Sequence, residues 1–145
     1  MEKPNLGLSP DVWNRLTDEM GLVCHNGALV HRFLPYPRLR SPNVLSTMTI
    51  LSLCAARRPK YLGLVSSTPV KFRSLRKSPR EECGEGGTGV SEADGLEGSR
   101  KDLGSGYGQS KWDAEYPVRQ AGKRGLKGAI IRLSYVTGDP KTGSK

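Results

Sequence analysis

The chain has no apolar run approaching the roughly 20 residues that a membrane span needs. Its first residues, Met1 to Leu8, hold no apolar core of signal-peptide length. Both absences lead us to expect a cytoplasmic protein with no membrane partner. Cysteine is scarce: Cys24, Cys54 and Cys83 are three residues at wide spacing. An odd, scattered set excludes a disulfide framework and suits a reducing compartment. Cys24, His25 and His31 lie close together, but no second ligand pair at zinc spacing accompanies them, so no metal site is expected. Acidic residues are also few, 14 against 23 basic ones, which gives a net charge of +9. Such an excess ordinarily raises nucleic acid as a partner. Its distribution argues otherwise. Eight basic residues and no acidic one fall between Arg57 and Arg80, and six acidic residues and no basic one between Glu81 and Glu97. Opposite blocks side by side read as a solvated, self-attracting loop. Only Tyr61 and Phe72 interleave the basic run, and no nucleic-acid partner is expected.

What is present is an alternation of short elements. Ser9-Pro10-Asp11 has the form of a helix start, with Val12, Trp13, Leu16 and Met20 at helical spacing and Gly21 closing it. Leu22 to His25 reads as a short buried strand, followed by the loop Asn26-Gly27-Ala28. Pro35 and Pro37 interrupt the chain, and a second helix is expected from about Asn43, with Val44, Met48, Leu51 and Ala55 on one face. Cationic residues near its end suit the helix dipole, and Pro59 forbids continuation. Tyr61 to Val65 is a second buried strand running into Ser66-Ser67-Thr68. Residues 69–105 lack periodicity and are read as a disordered insertion or loop. A third helix from about Tyr107 to Ala121 leads to a third buried strand, Gly128 to Leu133. Alternating helices and strands imply parallel strands with helical crossovers, an α/β, doubly wound sheet. By length the 145 residues fit one domain, but only part of a large α/β one, and the low hydrophobic content of 35% with abundant Gly and Pro leads us to expect some disorder.

The chemistry concentrates in Tyr107-Gly108-Gln109-Ser110-Lys111. Positions four apart share a helix face. An ammonium held there favours tyrosinate, which is expected to lower the Tyr107 pKa. Such a phenol can exchange a proton with a carbonyl oxygen while a hydride reaches the carbon. A hydroxyl at a neighbouring strand end, Ser67 or Thr68, can donate to the same oxygen.

Four blocks carry a resemblance: His25 to His31, Asn43 to Thr47, Leu64 to Thr68, and the run from Gly106 through Trp112 and Gly125 to Gly138. In these the chain resembles the extended short-chain dehydrogenase/reductase family, and within it the thioester-reductase domains of the fungal aminoadipate-reductase type. The resemblance implies a Rossmann-like fold and NADPH-dependent reduction of a carrier-protein-bound aminoadipyl thioester to the semialdehyde, a step of lysine biosynthesis. It also implies roles. Thr68 polarises the thioester carbonyl, with Ser67 as a stand-in. Tyr107 donates the proton. Lys111 binds the nicotinamide ribose and tunes Tyr107. Asn26, Gly27 and Ala28 form the turn beside the cofactor, Asn43 steadies the central strands and the site, and Leu133, Ser134, Tyr135 and Val136 lie near the nicotinamide ring.

The chain also departs from the pattern. The family opens with a strand, a Gly-x-x-Gly-x-x-Gly turn and a helix that hold pyrophosphate, and nothing before Leu6 supplies them. The fold is therefore expected to be partial, missing the N-terminal dinucleotide-binding βαβ unit, and the 145 residues alone to bind NADPH weakly. Gly84 to Gly89 fits Gly-x-Gly-x-x-Gly, but it has no strand before it and acids around it. Ser46 stands where the family has glycine, and Leu133-Ser134 replaces Pro-Gly. Pro117 falls inside the catalytic helix, where proline costs about 3 kcal/mol and predicts a kink. The rival of another class is a non-catalytic remnant or interaction fragment of an extended reductase or epimerase-type protein.

Overall fold

The computed structural model describes residues 3–67 and 103–133. A short turn, Pro4–Gly7, leads into α1 (Pro10–Glu19). The Ser9 hydroxyl accepts from the Val12 amide at 3.3 Å and Pro10 occupies the first turn, so the start expected from sequence is the one observed. β1 (Leu22–His25) follows, then α2 (Tyr36–Leu39), a π-helical segment (Arg40–Leu45) and α3 (Ser46–Ala55). β2 (Tyr61–Ser67), α4 (Gly106–Lys123) and β3 (Gly128–Leu133) complete the order.

The helical stretch before β2 begins at Tyr36, earlier than Asn43. Proline misled the sequence reading: Pro37 sits in the first turn, where a missing amide proton costs nothing, and Pro42 lies in the π segment. The apolar stripe Val44, Met48, Leu51 and Ala55 is not the buried face. Those residues line an open groove of about 990 Å³ against Trp112 and Tyr116 of α4. The face turned inward carries Asn43, Thr47, Ile50 and Cys54. At the end of α3, Arg57 takes a positive φ of 52°. The buried Lys60 ammonium donates to the Ala56 and Arg58 carbonyls, closing the helix as its charge suggested.

The strands form a sheet of order β1-β2-β3, parallel throughout. Val23, Leu62 and Leu64 meet Ile50, Leu53 and Cys54 of α3 and Val118 of α4 in one core, and Trp13, Leu16 and Met20 of α1 pack against it. The strands are less buried than expected. In β1 only Val23 and His25 face inward, and in β3 Ile131 and Leu133 remain nearly half exposed. The helices α1, α3 and α4 all feed that single core, so among the described residues the opposite sheet face has no helical cover. Alternating burial is what one covered face produces.

Gly128 permits the tight start of β3: a Cβ there would come within 2.2 Å of the Leu62 carbonyl oxygen. Pro117 sits within α4, which runs unbroken from Gly106 to Lys123. Of the segment expected as an insertion, residues 69–102 lie outside the described residues, and so does the Gly84 to Gly89 pattern. Leu103 is buried and Ser105 caps α4.

Candidate active site

Parallel strands bring their C-terminal ends to one edge, where ligands of open α/β sheets bind. His25 ends β1, Ser67 ends β2 and Leu133 ends β3, and Ser67 and Leu133 are register partners. The start of α4 is brought to the same edge. Its Ser105 hydroxyl accepts from the Gly108 amide at 3.1 Å. Gly106 lets that turn approach the Leu34–Tyr36 backbone, which a Cβ would meet at 2.5 Å.

Lys111 is buried, and its ammonium donates to the Val65 carbonyl at 2.7 Å, joining α4 to the end of β2. Tyr107 lies one turn earlier on the same helix and is partly buried. Its phenol differs from the expectation. Burial pushes the Tyr107 pKa above its ordinary value, and the lysine charge does not bring it down. The ammonium is committed to Val65, and desolvation of the phenolate prevails. Tyr107 is therefore a neutral phenol at physiological pH, the form a proton donor requires. Burial draws the Lys111 pKa down, and the carboxylate of Glu115 pushes it up.

Asn43 projects from the π segment, a distortion frequent at functional sites. It is buried and fully engaged. Its Oδ1 accepts from the Leu29 amide at 2.7 Å, and its Nδ2 donates to the Leu29 carbonyl at 3.2 Å and to the Ser110 hydroxyl at 2.9 Å. Ser110 in turn donates to the Tyr107 carbonyl at 2.8 Å. Asn43 thus links the loop after β1 to the turn of α4 that carries Tyr107 and Lys111.

Sequence reasoning weighed His25 only as a metal ligand or a strand-end residue, and gave Thr47 and Glu115 no role. Thr47 gives its one hydroxyl proton to the Asn43 carbonyl at 2.8 Å, so the His25 Nε2 donates to Thr47 at 3.1 Å. Burial, with the Lys111 charge added, lowers the His25 pKa below 6.5 and keeps the ring neutral. Glu115 is fully buried and receives Arg119 of its own helix and Arg132 of β3. The signal for Glu115 was present as a further step of four beyond Tyr107 and Lys111. For His25 the sole signal was its place at a strand end.

Asn26 is exposed, and Gly27 and Ala28 are partly buried in the loop after β1. Thr68, Ser134, Tyr135 and Val136 lie outside the described residues. The Ser66 hydroxyl, next to Ser67, is buried without a hydrogen-bond partner among the described residues. Among those residues no group of three or more metal-ligating side chains is present, and no helix is long and apolar enough to cross a membrane. None of Tyr107, Lys111 and Glu115 lines the groove between α3 and α4. The Lys111 bond to Val65 thus ties α4, with Tyr107 one turn earlier, to the end of β2, whose last residue is Ser67.

The profile of a NAD-binding family described as "Male sterility protein" matches residues 1–145. The L-2-aminoadipate reductase large subunit of Penicillium chrysogenum is 51% identical over 144 residues, 98% of this chain and 10% of that protein. The L-2-aminoadipate reductase of Saccharomyces cerevisiae is 44% identical over 145 residues, 99% of this chain and 10% of that protein. The crystal structure of the terminal R domain from the myxalamid PKS-NRPS biosynthetic pathway matches with a TM-score of 0.80 and 39% identity, over 99% of this chain and 34% of that one. The chain spans about a tenth of the length of these curated relatives and about a third of that R domain. Its three parallel strands and their helices are part of a Rossmann-like fold.

Proposed function

The chain belongs to the NAD-binding family described as "Male sterility protein", and from that premise we propose that it carries the catalytic middle of an NADPH-dependent thioester reductase. The substrate we infer is an aminoadipyl thioester on a carrier protein; hydride at its carbon and a proton at its oxygen give a thiohemiacetal, whose C–S bond then breaks to release the semialdehyde and the carrier thiol. The names of the fungal relatives support the acyl group, and the R-domain likeness supports a carrier-bound ester.

The observation that carries this reading is the bond between the Lys111 ammonium and the Val65 carbonyl. It fixes the turn of α4 bearing Tyr107 against the end of β2, where Ser67 and, beyond it in sequence, Thr68 stand. When bound, NADPH supplies hydride to the thioester carbon. The residues of this chain do the rest. Tyr107, kept as a neutral phenol by burial, gives its proton to the oxygen on which charge develops. Thr68, or Ser67 in its place, donates a hydrogen bond to that oxygen. Lys111 holds the nicotinamide ribose. We assign Asn26, Gly27 and Ala28 to the border of the cofactor and Leu133, with Ser134, Tyr135 and Val136 after it in sequence, to the nicotinamide, while Asn43 ties the loop after β1 to α4.

The test is a reductase carrying this segment, assayed by NADPH oxidation with a carrier-bound aminoadipyl thioester. Tyr107→Phe is expected to lower kcat by about 10²–10⁴-fold, the usual contribution of a positioned acid, with little change in folding. Unchanged turnover in Tyr107→Phe would remove the phenol from the mechanism.

A further inference from the structure

Tyr107, Lys111, Glu115 and Arg119 follow one another at intervals of four along α4, so they form one continuous ridge. The reaction uses the first two. The other two belong to an ion cluster for which it has no role. Glu115 is 0% exposed, and its carboxylate receives Arg119 Nη1 at 2.7 Å and Arg132 Nη2 at 2.7 Å, with Arg132 Nε at 3.1 Å. A carboxylate taken out of water is costly unless paired, and two guanidinium groups pair this one. Arg119 also lies 5.5 Å from the centroid of the Trp112 ring, which restrains it further.

One turn before Glu115, the Lys111 ammonium is buried with a backbone carbonyl as its hydrogen-bond acceptor. A carbonyl dipole orients the ammonium but does not neutralise it. The groups around it are the Val65 carbonyl from β2, the neutral His25 from β1, the neutral Tyr107 phenol and Glu115 from α4, with Arg119 and Arg132 behind the carboxylate. Among the described residues Glu115 is the acid in that set.

We propose that Glu115 is a positioning residue for Lys111: clamped by Arg119 and Arg132, its carboxylate supplies the counter-charge that holds the Lys111 ammonium on the Val65 carbonyl beside Tyr107. This deepens the reductase reading and rests on it for the role of Lys111. A clamp that merely tied α4 to β3 would affect stability alone. A counter-charge also sets the titration of Lys111, and its two kinds of partner act on that titration in opposite directions. Removing the carboxylate leaves Lys111 desolvated among cations. Removing Arg132 takes away a cation and frees more of the carboxylate's field.

The experiment uses the full chain with lysine labelled with carbon-13 at Cε, the Lys111 resonance being identified by its loss in Lys111→Arg. Titration is expected to show the Lys111 midpoint moved to lower pH in Glu115→Gln, moved to higher pH in Arg132→Gln, and returned towards wild type in Glu115→Asp. Midpoints that do not move, or that move the same way in Glu115→Gln and Arg132→Gln, overturn the proposal. If Glu115→Gln does not fold, Arg132→Gln and Arg132→Lys decide the matter. A rise for glutamine with a near-native value for lysine supports the counter-charge, and equal midpoints overturn it. NADPH plays no part in this readout. Opposite shifts together with unchanged turnover of the Tyr107→Phe reductase would keep the proposal and remove the reductase reading, whereas lost turnover in Tyr107→Phe with an unmoved Lys111 would do the reverse.

Discussion

Replacing Asn43 by alanine and by aspartate separates the two things this side chain does. It fills a buried position in the π segment, and it makes three hydrogen bonds of fixed polarity, two to Leu29 and one to Ser110. At about 0.5–1.5 kcal/mol net for each bond, alanine removes roughly 1.5–4.5 kcal/mol. Leu29 is 43% exposed, so water can reach its amide and carbonyl once the side chain is gone. That places the expected loss in the lower half of the range, about 2–3 kcal/mol. Aspartate has the same shape but puts an oxygen where Nδ2 was, facing the Leu29 carbonyl and the Ser110 oxygen. Ser110 already gives its proton to the Tyr107 carbonyl, so it can donate to the new carboxylate only by abandoning Tyr107. Aspartate is therefore expected to cost at least as much as alanine despite losing no volume. Urea unfolding followed by the emission of Trp13 and the buried Trp112 measures both. An Asn43→Asp chain within about 0.5 kcal/mol of wild type would refute the assigned polarity.

Other outcomes follow from the same geometry. His25 has a pKa below its unfolded value of 6.5, so between the two values the unfolded chain binds more protons and stability rises with pH. Melting temperatures should thus be highest above that window and fall as pH drops through it, and His25→Gln should flatten this dependence. Gly106→Ala should cost about 1–3 kcal/mol, because a Cβ would meet the Leu34–Tyr36 backbone rather than a movable side chain. Thermal unfolding checks it, and an unchanged midpoint would mean that the α4 turn sits more loosely.

The sequence alone determined the features that depend on neighbours a few residues apart. Ser9 and Pro10 started α1, and the spacing of four put Tyr107 and Lys111 on one helix face. The alternation of elements dictated a parallel sheet, and the motif blocks carried the family resemblance. Local rules also failed in instructive places. Pro35 and Pro37 read as an interruption, although Pro37 lies where a helix tolerates it; Val44, Met48, Leu51 and Ala55 do share one face, and that face borders a groove. Only the tertiary structure decided which groups the site residues meet. Lys111 binds the carbonyl of Val65, 46 residues away, Asn43 finds Ser110 at a separation of 67, and Arg132 reaches Glu115 across 17. Those partners set the charge balance, and desolvation comes from the packing of whole elements. That is why the sequence could place Tyr107 beside Lys111 yet mistake the direction in which its pKa moves. Spacing fixes which side chains share a face, but burial and long-range pairing fix their protonation.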